Sequence, residues 1–402
     1  MRASKFTDDA MDWAGFLGRL AIAADPSLAE AAVGGRSVLI TGAGGSIGSR
    51  LAAAALEGRP GRLVLLDVSE SALYECFRRL SASPRRGAEM VPVVGSAGDA
   101  RFVAHLLREH RPELVFHAAA YKHVPLMERN PFAAMANNAV GTYRLAVAAR
   151  EAGVARLIAV STDKAVNPAS AMGASKRIAE LAVLSHAPRH SDRSGPDGRE
   201  PRMNVVRLCN VLGSSGSVAA IFQEQAEQGS PLTVTDAEAR RYFLTPAEAE
   251  RAILGAALAS ACGRVLVPDC GAEFRILDLA RHVAGRCGAG REVAVEFTGL
   301  RPGEKLREEL WSAEEAVEGA LPSGLRVLRS PVPGAAEVAA LIQRLEEAVD
   351  SFDSQALMEA VGELVPGYMP HALKSAENGG PSTRAEALAQ DDRSSHNQWG
   401  FE

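Results

Sequence analysis

Cysteine is scarce. Cys76, Cys209, Cys262, Cys270 and Cys287 are odd in number, and no two form Cys-x-x-Cys. That argues against a disulfide framework and a zinc site, and suits reduced thiols in a cytosol. No apolar run reaches the ~18 residues of a membrane span. Asp8, Asp9 and Asp12 interrupt any basic-then-apolar leader. Positive charge is not in excess: 44 Lys and Arg face 49 Asp and Glu, for a net charge of −5. The broad basic field that nucleic acid or an acidic membrane attracts is absent. Tyrosine is sparse too. None lies between Tyr143 and Tyr242, and none stands four residues before a lysine. The expectation is a soluble, cytoplasmic chain with no membrane span, no nucleic-acid partner and no metal.

What is present is core-forming. Apolar residues make up 47% and charged residues 23% of 402, enough for a large α/β domain with a smaller lobe. Residues 1–35 read as a helical lead-in, with Trp13, Phe16, Leu17 and Leu20 at helical spacing. Short apolar runs at 37–41, 62–67, 90–94, 113–117, 155–161 and 203–208 predict strands. Amphipathic stretches at 47–57, 69–81, 99–109, 131–151 and 171–186 predict helices between them. This alternation is that of a Rossmann-like, doubly wound parallel sheet. Residues 36–209 form the expected dinucleotide-binding domain. Residues 210–370 form a smaller C-terminal substrate-binding lobe with returning elements, and helices at 246–260, 276–287 and 336–362. The polar, Pro- and Gly-containing stretch 187–202 reads as a mobile loop, and 371–402 as a disordered tail.

The first strand, Val38-Leu39-Ile40-Thr41, runs into Gly42-Ala43-Gly44-Gly45-Ser46-Ile47-Gly48 and a helix. Gly42 permits a tight turn, Gly45 lets the backbone approach a pyrophosphate, and Gly48 lets helix and strand pack closely. Ser46 and Ile47 open the helix, whose free N–H groups face the phosphates. Asp67 ends the second strand, 19 residues after Gly48. A carboxylate there accepts from a ribose 2′-hydroxyl and repels a 2′-phosphate, which favours NAD over NADP. Ala118, Ala119 and Ala120 follow the fourth strand and leave room for a flat cofactor.

The fifth strand ends at Ser161-Thr162-Asp163-Lys164, where ligands of open α/β sheets bind. Met172 and Lys176 follow, four apart on one helix face. A dinucleotide-binding chain would be expected to carry Tyr-x-x-x-Lys here. A thioether cannot shuttle a proton, so Asp163 and Lys164 are the nearest groups for that work.

These stretches resemble the bacterial nucleotide-sugar 4,6-dehydratases, extended short-chain dehydrogenase/reductases, in a branch with Met for Tyr. Further matching stretches are Ala118–Pro125, Ser161–Pro168, Met172–Arg177, Asn210–Ser217, Arg241-Tyr-Phe and Leu300–Lys305, in order over about 15–330. The resemblance implies UDP-N-acetylglucosamine as substrate. It implies oxidation at C4, proton removal at C5, loss of water from C6 and hydride return to C6, with NAD regenerated. It makes Lys164 the base at C5, with a pKa lowered by the nicotinamide and Lys176. It makes Asp163 the acid at the C6 hydroxyl, and Thr162 the partner of the 4-hydroxyl. Lys176 would hold the nicotinamide ribose, and Met172 would pack beside the sugar or simply fill the core.

On the substrate side, Lys122, His123, Asn210 and Ser217 would line the sugar-nucleotide. Arg241 and Arg301 suit a diphosphate, and Glu304 would hold an arginine or the ribose. Ser96 stands where the family has an adenine-contacting carboxylate, and Cys209 where it has Gly. Relatives pair through the helices at about 131–151 and 171–186, which implies a homodimer or higher homo-oligomer. A nucleotide-sugar epimerase, a 5,6-dehydratase and a non-catalytic sensor remain open alternatives.

Overall fold

The structure, a computed structural model, describes residues 11–20, 25–82, 87–188, 201–287 and 293–368. Residues 189–200 of the polar loop and the 371–402 tail lie outside them. Nine strands form one sheet: β1 (Ser37–Thr41), β2 (Arg62–Asp67), β3 (Glu89–Val94), β4 (Leu114–His117), β5 (Arg156–Thr162), β6 (Arg202–Leu208), β7 (Val265–Pro268), β8 (Ala316–Ala320) and β9 (Leu325–Arg329). Their order is β8-β9-β7-β6-β5-β4-β1-β2-β3. The pairs from β3 to β7 are all parallel, and β9 and β8 join antiparallel at one edge. β1, β4 and β6 are buried along almost their whole length, as strands covered on both sheet faces are.

The order reverses between β1 and β4, so their carboxyl ends open a crevice. The helices that follow are α1 (Ser46–Glu57) after β1, α2 (Glu70–Ser81) after β2 and α3 (Ala100–His110) after β3. Ser69 and Asp99 cap α2 and α3 by accepting from Ala72 N and Phe102 N. α4 (Gly141–Glu151) precedes β5, and α5 (Ala171–Ser185) follows it, capped by Ser170.

Three expectations change in detail. The stretch 131–151 is a short helix, a π-helical segment at Met135–Val140, and α4. The π segment lets Asn138 turn inward: its amide clamps Tyr121 N and O and bonds Ser175 Oγ. The single helix expected over 336–362 is two, α6 (Ala335–Ser351) and α7 (Ser354–Leu364), broken where Phe352 takes a left-handed conformation with φ 53°. The lead-in helix stops at Leu17 because Gly18 is left-handed, which leaves Leu20 exposed. Trp13 and Leu17 bury against Phe222, Phe243 and Leu279.

Small ribbons build the crevice's far wall: 210–211 with 243–244, 240–241 with 274–275, and 232–234 with 295–297. α6 and α7 lie on the outer side of the π segment and α5, where Ile342, Leu345, Leu357 and Val361 pack on Met135, Ala139, Ala174 and Ile178. Pairing through the 131–151 and 171–186 helices thus meets a face that the chain's own C-terminal helices already occupy. Among the described residues no helix is long and apolar enough to cross a membrane.

Candidate functional site

The loop between β1 and α1 is built for close approach. Gly42 has φ 69°, and a β-carbon there would lie 2.7 Å from Ala119 Cα. A β-carbon on Gly48 would collide with the Gly42 carbonyl, and one on Gly45 would sit 3.2 Å from it. Asp67 Oδ2 accepts from Gly44 N at 2.8 Å, and Oδ1 accepts from Ser69 N at 2.9 Å. The carboxylate thus fixes the loop and the start of α2, and its remaining lone pairs can still meet a ribose hydroxyl. Ile47 packs on the core below. Ala118, Ala119 and Ala120 stay partly open above β4. Ser96 Oγ accepts from Gly98 N, so it serves its own turn.

His117, at the end of β4, is buried between Thr41 Oγ1 (2.7 Å) and Thr142 Oγ1 (2.9 Å). Burial and nearby Lys176 push its pKa down to about 3, so it is neutral at physiological pH.

Three loops converge over the crevice. Ser46 Oγ accepts from Ser215 N at 3.2 Å, and Lys122 Nζ donates to Ser215 O at 2.7 Å. The His123 ring fills the space a β-carbon on Gly216 would need. The hydroxyl of Ser217 caps the helix Val218–Gln228. Lys122, His123 and Ser217 therefore share one wall.

The chemical corner lies at the end of β5. Thr162 Oγ1 donates to Asp163 Oδ1 at 2.9 Å. Lys164 Nζ donates to Asp163 Oδ1 at 3.1 Å and to Asn210 Oδ1 at 2.9 Å. Asp163 is fully buried, and its Oδ2 has no hydrogen-bond partner among the described residues. Lys176 Nζ donates to Val160 O at 2.7 Å. Burial lowers its pKa to about 8, with Glu180 opposing. Lys164 departs from the sequence expectation. Burial pushes its pKa down, but Asp163 and Glu308 outweigh burial, and the pKa is raised. The nearby Arg241 opposes them, and Lys176 is not the governing neighbour.

Met172 is buried with Met127, Ala134 and Val124. α5 itself is pinned by a buried ion cluster: Arg207 reaches Glu180 at 2.8 Å and Glu315 at 2.9 Å. Ser161 Oγ also donates to Glu180.

The Leu300–Lys305 motif docks beneath this corner. Lys305 Nζ donates to Val166 O at 2.7 Å, and a side chain on Gly303 would strike Ser170. Arg241 is buried, donating to the carbonyls of Arg240 and Leu306 and standing 3.8 Å from Glu308. Arg301 is half-exposed, and its N–H donates to Glu304 Oε2. The structure thus brings Asn210 and Arg241 to the corner, and leaves Arg301 and Glu304 at the rim. Sequence reasoning missed Glu308, Asn138 and the Glu180–Arg207 pair. Glu308 lies three residues past Lys305 in a charged run that reads as surface. Cys209, in place of Gly, is buried with its sulfur 2.7 Å from that of Cys270. Among the described residues no His, Cys, Asp and Glu group could hold a metal.

By fold the chain is an α/β protein with a Rossmann-like, doubly wound parallel sheet and a candidate site at its strand ends. It belongs to the polysaccharide biosynthesis protein family, whose model matches residues 38–325. It is 40% identical over 300 residues to the capsular polysaccharide biosynthesis protein CapD of Staphylococcus aureus, covering 74% of this chain and 49% of that protein. The chain therefore spans about half the length of that relative. It is 28% identical to a UDP-N-acetylglucosamine 4,6-dehydratase (inverting) of Campylobacter jejuni, over 70% of this chain and 79% of that one. Among solved structures it resembles Pen from Bacillus thuringiensis, with TM-score 0.65 and 26% identity, covering 75% of this chain and 91% of that chain.

Proposed function

We propose that the chain carries out NAD-dependent 4,6-dehydration of a UDP-N-acetylhexosamine, UDP-N-acetylglucosamine first, giving a UDP-2-acetamido-2,6-dideoxy-4-keto-hexose. The observation that carries this reading is the hydrogen-bonded chain Thr162–Asp163–Lys164–Asn210 at the end of β5, beside a helix whose expected tyrosine is a buried Met172.

The glycine loop that a β-carbon would fill, with Asp67 behind it, fits NAD. When bound, NAD supplies acceptance of hydride from C4 and its return to C6. The residues handle protons. Thr162 Oγ1 takes the 4-hydroxyl proton and passes one along its existing bond to Asp163. The protonated Asp163 then donates to the C6 hydroxyl as water leaves. The deprotonated form of Lys164, the minor form at neutral pH because Asp163 and Glu308 raise its pKa, removes the C5 proton and gives it back to C5 after hydride returns. Two protons are taken and two are given, so the site ends as it began. Lys176 holds the ribose beside β5. Arg301, open to the rim, meets the diphosphate, while Lys122, His123 and Ser217 wall the sugar-nucleotide and Glu304 orients Arg301.

The test is incubation of the purified protein with UDP-N-acetylglucosamine, read by mass spectrometry and NMR. Loss of one water with a new C6 methyl is expected, and NMR then gives the C5 configuration. An isomer of unchanged mass would make the chain an epimerase, and a 5,6-alkene without a methyl a 5,6-dehydratase. No turnover of any UDP-sugar despite NAD binding would make it a sensor.

A further inference from the structure

Glu308 is a buried carboxylate that the proton path above does not use. Its Oε1 lies 3.6 Å from Lys164 Nζ and 3.8 Å from Arg241 Nε, and its Oε2 lies 3.9 Å from Lys305 Nζ and accepts no hydrogen bond among the described residues. It comes from the segment after the Leu300–Lys305 motif, more than 140 residues beyond Lys164. An acidic group buried to this extent is retained only with cationic partners, and its nearest cation is Lys164. We propose that Glu308 is a positioning residue for the reaction: together with Asp163 it brackets the Lys164 amine between two carboxylates and governs its work as a base. The proposal rests on the dehydratase reading for its consequence on rate, but not for its consequence on charge.

The charged and titratable groups around Lys164 are Asp163 on its own turn, Glu308 and Lys305 from the motif segment, Arg241 from the far wall, and Cys209 after β6. Asp163 and Glu308 favour the ammonium form, and Arg241 disfavours it. Removing Glu308's charge leaves Asp163 alone against burial. The Lys164 pKa then falls, by roughly one to three units for loss of an adjacent opposite charge. A base that loses its proton at lower pH widens the active range on the acid side, so the acid limb of kcat/KM moves to lower pH.

The test compares the intact chain with Glu308→Gln and Glu308→Asp. Incorporated lysine labelled with 13C at Cε reports the ionisation of Lys164 by NMR without substrate, with Lys164→Arg assigning the signal. Glu308→Gln is expected to move that titration to lower pH by about a unit or more, while Glu308→Asp keeps it near that of the parent chain. With UDP-N-acetylglucosamine turning over, the acid limb of kcat/KM follows the same shift. An unchanged Cε titration in folded, NAD-binding Glu308→Gln would overturn the proposal. If the titration shifts but no UDP-sugar reacts, Glu308's electrostatic role stands and the dehydratase reading fails.

Discussion

Lys164 Nζ donates to Asn210 Oδ1 across 2.9 Å, which ties the end of β5 to the segment that follows β6. The same nitrogen also bonds Asp163 on its own strand turn. Its position is therefore set by two strand ends of one parallel sheet. A base must be held to within a fraction of an ångström of the carbon it deprotonates, and a lone surface lysine would not be.

The first prediction concerns that base. Lys164→Ala should abolish exchange of the C5 proton with deuterated solvent and lower turnover by about 10²–10⁴-fold, the usual scale of acid–base catalysis. NAD affinity should be retained, because the Lys164 amine bonds Asp163 and Asn210 and not the glycine loop. Unimpaired C5 exchange would remove Lys164 from the role.

Asp67 makes two backbone bonds, and its remaining lone pairs are the proposed acceptors for a ribose 2′-hydroxyl. Asp67→Ala loses charge-assisted bonds worth about 1.5–3 kcal/mol each. NAD affinity by calorimetry should fall by about tenfold or more, and the preference over NADP should shrink. A preference unaltered by the substitution would assign Asp67 to loop structure alone.

Lys176 titrates near physiological pH, at about 8, because burial opposes its charge. If its ammonium holds the nicotinamide ribose, NAD binding weakens as pH rises through 8. Lys176→Met should bind weakly at every pH and lack that limb. The check is a pH series of NAD dissociation constants, and parallel curves for the two proteins would count against the role.

Most of the Rossmann half was legible because buried parallel strands write continuous apolar runs, and glycine turns have a backbone reason that spacing reveals. The strand-end triplet Thr162, Asp163 and Lys164 was legible for the same reason: ligands sit where such strands end. Glu308 was not, since a carboxylate in a charged run looks solvated until the chain folds it against Lys164. The Phe352 break was hidden because neither Gly nor Pro marks it. The direction of the Lys164 pKa shift failed because Asp163 and Glu308 together outweigh burial, and Glu308 was not in view.

The ion cluster behind α5 should govern stability. Arg207 is buried between Glu180 and Glu315. Arg207→Met leaves two buried carboxylates without their main partner, a loss of about 3–5 kcal/mol, read by urea unfolding at neutral pH. Glu180 is held at about 2 by Arg207 and Arg177 against burial. A carboxylate with a depressed folded pKa stabilises above its unfolded pKa, near 4.5, and loses that contribution as pH falls through 2. The gap between parent and variant should therefore narrow as pH drops below about 4.5. A gap independent of pH would mean that packing, not charge, carries the effect.

The last prediction concerns association. Met135, Ala139, Ala174 and Ile178 form an apolar face on the π segment and α5, and Ile342, Leu345 and Val361 of α6 and α7 cover it. Arg144 also pairs with Glu346 across this contact. A second copy could pair through that face only by displacing both helices, and so exposing their own apolar stripes. The full chain should therefore not pair through these helices, whatever oligomer it forms. Leu345→Ala should cost about 2–5 kcal/mol without changing the mass seen by light scattering. Truncation before Ala335 bares the face and should produce self-association. A dimer of the full chain cross-linked between Met135 and Ile178 of two copies would show that the helices do yield, and that their packing here is one of two competing partners for the same face.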